Sequence, residues 1–172
     1  MKEGNQLHRY FNILRQTEGY PLLTPRQQEF IELSLYTQQR SLYSKNDEPN
    51  THILEWSCHA AVNAVETGNF SVPGRMPDDL YRCHYESIAN YKDLRQKIEA
   101  FGFPCVVHIT KEYFNILCHS FLTLGHNKRN SIVIWEKVGD ELQYQLTTLK
   151  QEIAYYNGKN RWGIRKLRQP DN

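Results

Sequence analysis

Apolar side chains recur along this chain at two spacings, and the change from one to the other divides it. Leu7, Tyr10, Phe11 and Leu14 lie three and four residues apart, the period of one face of a helix, which predicts a helix over 7–17. Thr24-Pro25 reads as an N-cap followed by proline at the first helical position. Phe30, Ile31, Leu33, Leu35 and Tyr36 then carry a second helix over 27–43. A polar loop, Ser44 to Asn50, precedes a third helix expected from about Ser57 to Glu66. Its small residues Ala60, Ala61 and Ala64 allow close approach to other backbone, and Gly68 is a natural C-cap. Asp78 or Asp79 is placed to cap a short helix reaching about Tyr81. Leu94, Ile98 and Phe101 mark one face of a helix over 91–101 that stops at Gly102.

Beyond Gly102 the period falls to two. Val106, Val107 and Ile109 predict a strand. Residues 119–124 alternate into a turn at 125–130, residues 131–137 return, and Gly139-Asp140 turns the chain again before 141–147. That is an antiparallel meander. A short helix over 149–156 and a last strand over 162–167 complete the reading. Helices first and strands second imply an α+β fold. The 172 residues suit one domain, 1–172, with a helical N-terminal extension over 1–50 and a core over 51–172.

Charge narrows the choice of partner. The 21 basic and 19 acidic side chains nearly cancel, so the whole-chain field draws the protein to neither nucleic acid nor a membrane. No apolar run approaches the roughly 20 residues that span a bilayer. The N-terminus, Met1 to Gln6, lacks the apolar stretch of a secretory signal, which predicts a cytoplasmic location; contact-dependent export would leave no such mark. In that setting the four cysteines, at 58, 83, 105 and 118, are expected as reduced thiols. Cys105, inside Phe103-Pro104-Cys105-Val106-Val107, reads as an inert core residue.

Cys58 is different, because it falls at the start of the third predicted helix. A thiol there sits in positive potential, which lowers its pKa and raises its thiolate fraction. His119 opens a strand, and an imidazole brought near that thiol would stabilise the thiolate and later supply a proton. Glu136 interrupts the apolar run Ile132-Val133-Ile134-Trp135 on the returning strand. With the turn at 125–130 it falls near His119 across the hairpin, on the same face. A carboxylate buried there needs a hydrogen-bonding partner, and an imidazole N–H is a suitable one.

This order of parts resembles the papain-like cysteine peptidase superfamily, above all its compact bacterial NlpC-type and bacteriocin-leader-peptidase branches. The similarity covers roughly residues 50–157. It implies a nucleophile helix packed on an antiparallel sheet, with Cys58 as nucleophile, His119 as base and Glu136 as the group that orients the base. It also implies a peptide or protein substrate and no cofactor or metal. The family carries a glutamine a few residues before the cysteine to hold the oxyanion. Here His52 stands six residues before Cys58 and is the candidate in its place, together with the Cys58 N–H. Glutamate at the orienting position also departs from the family's usual aspartate or asparagine. The N-terminal helices are a candidate docking surface for a partner protein.

Plainer readings compete with each residue. Cys58 can be a small buried hydrophobe, His119 a satisfied histidine at a strand edge, and Glu136 a solvent-facing carboxylate beside Lys137. His59 follows the nucleophile on its own helix and reads as a neighbour rather than the base. The dipeptide Cys-His occurs at 58–59, 83–84 and 118–119, and thiolate with imidazole suits zinc. Adjacent residues on a strand point to opposite faces, however, and no close C-x2-C pair is present. The segment from Lys150 onward collects Lys159, Arg161, Arg165, Lys166 and Arg168 with Trp162 and Tyr155-Tyr156, a pattern that single-strand nucleic-acid binders use. A solvated terminal strand is the alternative reading there. A noncatalytic interaction domain is the remaining one.

Overall fold

The computed structural model describes residues 3–41, 53, 56–69, 83–111, 117–138, 143–154, 156 and 160–168. Among them are helices α1 (Glu3–Arg15), α2 (Pro25–Ser41), α3 (Cys58–Thr67), α4 (Tyr91–Phe101) and α5 (Leu149–Ile153). The strands are β1 (Tyr85–Ser87), β2 (Cys105–Lys111), β3 (Leu117–His126), β4 (Ile132–Val138), β5 (Gln143–Thr148) and β6 (Asn160–Lys166). The six strands make one sheet in the order β1-β6-β2-β3-β4-β5, and every pairing is antiparallel. The α+β reading holds. The short helix expected near Asp78 and the oxyanion candidate His52 lie outside the described residues.

Local chemistry explains where the helices stop and start. Thr24 and Gln27 bond reciprocally through side chain and backbone, a capping box around Pro25 at the entry to α2. Ser57 caps α3 by accepting from Ala60 N at 3.2 Å, and Gly68 closes it in the left-handed region at φ 65°. Thr148 and Gln151 form a second capping box at α5. Leu94 and Ile98 bury one face of α4, whereas Phe101, expected beside them, is an exposed large hydrophobic side chain on its last turn.

The sheet separates two apolar layers. On one face α1, α2 and α3 pack over Val106, Leu122, Leu124, Val133 and Trp135. Phe30 stacks on Trp56 at 5.7 Å and meets Trp135 edge-on at 6.0 Å, while Trp135 stacks on Tyr144 at 5.5 Å. Each such buried aromatic contributes on the order of 2–3 kcal/mol, so α1 and α2 are part of the core rather than an appendage to it. On the other face α4 and α5 cover Val107, Ile109, Phe121, Ile134 and Trp162.

Two findings depart from the sequence reading. The last strand is no solvated terminus: β6 runs between β1 and β2, and Trp162 is buried. Strand β3 also carries two irregularities. Ile109 pairs with His119 but Thr110 pairs with Leu117, so Cys118 is an extra residue; Leu124 is a second one opposite β4. Bulges of this kind re-aim the neighbouring side chains. The first lies immediately beside His119.

Candidate active site

With Ser57 occupied as N-cap, Cys58 becomes the first helical residue of α3, where unpaired N–H groups face outward. The thiol is buried, and His119 and His59 are the two side chains that act on it to favour its thiolate. His119 lies on the opposite side of the sheet plane from the body of α3, among Phe121 and the α4–α5 layer. Its position beside the bulge, at the beginning of the described part of β3, brings the ring to the end of α3.

Glu136 sits opposite Phe121 on β4, two residues along from direct pairing with His119, a diagonal that long side chains cross. Its Oε2 lies 2.8 Å from His119 Nε2, and its Oε1 accepts from Gln145 Nε2 on β5 at 2.6 Å. The carboxylate is wholly buried, so the solvent-facing alternative for Glu136 is set aside. Because Nε2–H serves Glu136, Nδ1 is the ring nitrogen left for the sulfur. The imidazole lies almost parallel to the Tyr156 ring at 5.8 Å and is flanked by Phe121 at 6.0 Å.

Electrostatics follow from these contacts. Burial alone would push the Cys58 thiol up, but hydrogen bonds from His119 and His59, together with the charge of His119, outweigh it and bring the thiol down to about 6. Burial would likewise lower His119, and its bonds to Cys58 and Glu136 instead raise it to about 10. Between those values the pair is a thiolate beside an imidazolium. The two protons belong to the pair as a unit.

Sequence reasoning missed Glu152. It reaches in from α5, with Oε1 3.6 Å from His119 Nε2. Burial, the charge of Glu136 and a hydrogen bond to that carboxylate push Glu152 up to about 8, so it carries a proton at neutral pH. His119, Glu136 and Glu152 present ligand atoms within 4.8 Å of one another, a donor set that suits zinc. That cluster contains no cysteine. Cys83 instead adjoins Tyr85 and Arg165, with its thiol raised by burial. The zinc site suggested by the Cys-His dipeptides therefore gains no support among the described residues.

A second polar chain lies on the other face of the sheet. His59 Nδ1 is 2.7 Å from Ser120 Oγ, and Ser120 Oγ is 2.5 Å from His108 Nδ1. Arg165 Nε donates to His108 Nε2 at 3.0 Å, and the rest of the guanidinium makes a two-pronged pair with Glu66, Nη2 to Oε2 at 2.8 Å. Burial and then the Arg165 charge push His108 down to about 2, so it is neutral. One arginine of the basic C-terminal segment is thus engaged inside the fold. Signals for this chain were present: His108 and Ser120 are polar residues in the apolar runs of two strands that pair directly.

A cavity of ≈ 550 Å³ opens elsewhere, between α1, the β3–β4 turn and β5, with Arg9, Lys128 and Arg129 on its wall. None of the residues around Cys58 lines it, so it contributes nothing to this chemistry. No helix among the described residues is long and apolar enough to cross a membrane. No protein-family model, curated protein sequence or solved structure matches the chain, so the geometry around Cys58 carries the functional reading by itself.

Proposed function

We propose that this chain is a cysteine-dependent hydrolase or acyltransferase of papain-like architecture, acting on an amide, peptide or thioester bond. One observation carries the reading: a buried thiol at a helix N-terminus meets an imidazole whose far nitrogen is held by a buried carboxylate at 2.8 Å. A thiol kept only as a small hydrophobe needs none of these partners.

In the first step the Cys58 thiolate attacks the carbonyl carbon, a C–S bond forms and the carbonyl electron pair moves to oxygen. The Cys58 N–H at the start of α3 is a donor for that oxygen, and His52 remains a candidate beside it. Collapse expels the amine or thiol, which takes the proton from His119 Nδ1. Neutral His119 then removes a proton from water, or from an acceptor amine, as it attacks the thioester. The C–S bond breaks, sulfur leaves as thiolate, and the imidazolium is restored. Glu136 keeps Nε2–H in place throughout, so Nδ1 is always the nitrogen that exchanges. Water as acceptor gives hydrolysis and an amine gives transfer.

The test is the pH dependence of iodoacetamide modification, with each alkylated cysteine located by mass spectrometry. Cys58 is expected to react with a midpoint near 6, ahead of Cys83 and Cys105, and His119→Ala is expected to abolish that advantage. Modification of Cys58 only near the ordinary thiol pKa of about 8.5, unchanged in His119→Ala, overturns the proposal.

A further inference from the structure

The polar chain behind His59 has a direction, and the direction can be deduced from its end. A guanidinium donates and never accepts. Arg165 Nε therefore fills His108 Nε2 with a hydrogen, and the single proton of neutral His108 must sit on Nδ1. That Nδ1–H donates to Ser120 Oγ. Ser120 is fully buried and its hydroxyl hydrogen needs an acceptor; His59 Nδ1, at 2.7 Å, is the nitrogen that can take it. Were His59 Nδ1 protonated instead, Ser120 would receive two donors and its own hydrogen would point at nothing. With Nδ1 accepting, His59 carries its proton on Nε2, the one ring nitrogen it has left to turn toward the neighbouring Cys58 thiol, on which it acts.

We infer that His59 is a second catalytic histidine, locked by the Arg165–His108–Ser120 chain as a fixed Nε2–H donor to the Cys58 sulfur. The inference rests on the thiol-enzyme reading above and deepens it. The two histidines then differ in kind. His119 ends on the Glu136 carboxylate, with the protonated carboxyl of Glu152 beside it, and can hold or release a proton. His59 ends on a cation that is itself neutralised by Glu66, so giving up its Nε2 proton would leave an imidazolate. It holds negative charge on sulfur without competing for the proton that His119 moves. The groups facing Cys58 are then His59 from α3, His119 from β3, and beyond it Glu136 from β4 and Glu152 from α5.

The experiment follows the thiolate titration of Cys58 in the full chain by pH-dependent iodoacetamide alkylation, for wild type, His59→Ala and His59→Gln. Glutamine places an N–H about where imidazole Nε2 stands. His59→Ala is expected to raise the midpoint by about one unit and slow alkylation at pH 5 roughly tenfold, while His59→Gln stays within about threefold of wild type. A midpoint equal to wild type in His59→Ala overturns the role of His59 and leaves the thiol-enzyme reading standing. An ordinary thiol midpoint in wild type itself overturns that reading, and this inference with it. Should His59→Ala fail to fold, two-bond ¹H–¹⁵N correlation on the wild-type protein at pH 8 decides. A protonated Nε2 with a bare Nδ1 on His59 supports the lock, and a protonated Nδ1 refutes it.

Discussion

Glu136→Gln isolates what the orienting carboxylate does, because the amide keeps the shape and removes the charge. In the native site Glu136 Oε2 takes the His119 Nε2–H at 2.8 Å in a position with no solvent exposure. The amide oxygen can take the same bond. Its NH2 then faces Gln145, which is only half-buried and can turn its own oxygen inward. Two magnitudes bound the effect on His119. Replacing a charged hydrogen-bond partner with a neutral one loses about 1–1.5 kcal/mol, close to one pKa unit. Removing a unit charge about 4 Å away at an effective dielectric of about 20 costs about 4 kcal/mol, close to three units. The imidazolium should therefore titrate between about 7 and 9, down from about 10 in the wild-type protein.

The lower step, thiolate formation near 6, should move far less. Glu136 bears on the sulfur mainly through the imidazolium, and that ring is still charged at pH 6. The assay is the His119 Hε1 chemical shift across pH 5–11, with thiolate absorbance near 240 nm recorded on the same samples. The stability sign agrees. His119 is raised in the fold, so its contribution is fully present below its unfolded value near 6.5 and is lost as pH rises through about 10. Glu136→Gln should therefore melt below wild type at pH 6–7, with the gap closing toward pH 10. An imidazolium midpoint within half a unit of wild type in Glu136→Gln would refute the reasoning.

Two further outcomes are expected. Glu152→Gln should stabilise the protein relative to wild type as pH rises: a carboxyl raised to about 8 gives stability that is whole below about 4.5 and lost through 8, so thermal melts at pH 5 and pH 8.5 should diverge in favour of the variant, and parallel melts would count against a proton on Glu152. Gly125→Ala should destabilise by about 1–3 kcal/mol in urea unfolding, since φ is 107° there and a Cβ would stand 2.5 Å from Glu18 Cγ and 3.0 Å from Gly19 N; an unchanged midpoint would deny that close approach.

What the sequence made legible was local. Apolar spacing located the helices that became α1 to α4 and the strands that became β2 to β5, because each pattern lies within one segment. Cys58, His119 and Glu136 could be named together because a helix start, a strand start and a charge in an apolar run are each visible alone. What stayed hidden was long-range pairing. Nothing in Asn160 to Lys166 records that it inserts between β1 and β2, and its basic residues looked like a solvated edge. Arg165 is instead held by Glu66, ninety-nine positions away. No sequence pattern singles out Glu152 on its short helix, and only the packing of α5 against β4 turns it toward His119. His59 looked like a bystander because its partners lie on strands that sequence order does not place beside it.

Two polar systems reach one sulfur because His119 and Ser120 are consecutive residues of a strand. Alternation sends them to opposite faces, the first into the α4–α5 layer and the second under α3. The bulge at Cys118 and the position of Cys58 at the tip of α3 bring both faces within reach of the thiol. What each face then does is decided by how its chain terminates. A chain ending in a carboxylate accepts a positive ring and leaves its proton exchangeable, which a general base requires. A chain ending in a guanidinium orders every hydrogen toward the sulfur and leaves none to exchange, which a fixed donor requires. Exchanging the two terminations would reverse the roles of the two histidines. In the proposed mechanism the division of labour at Cys58 is therefore set by Arg165 and Glu136, which act on the sulfur through the two histidines.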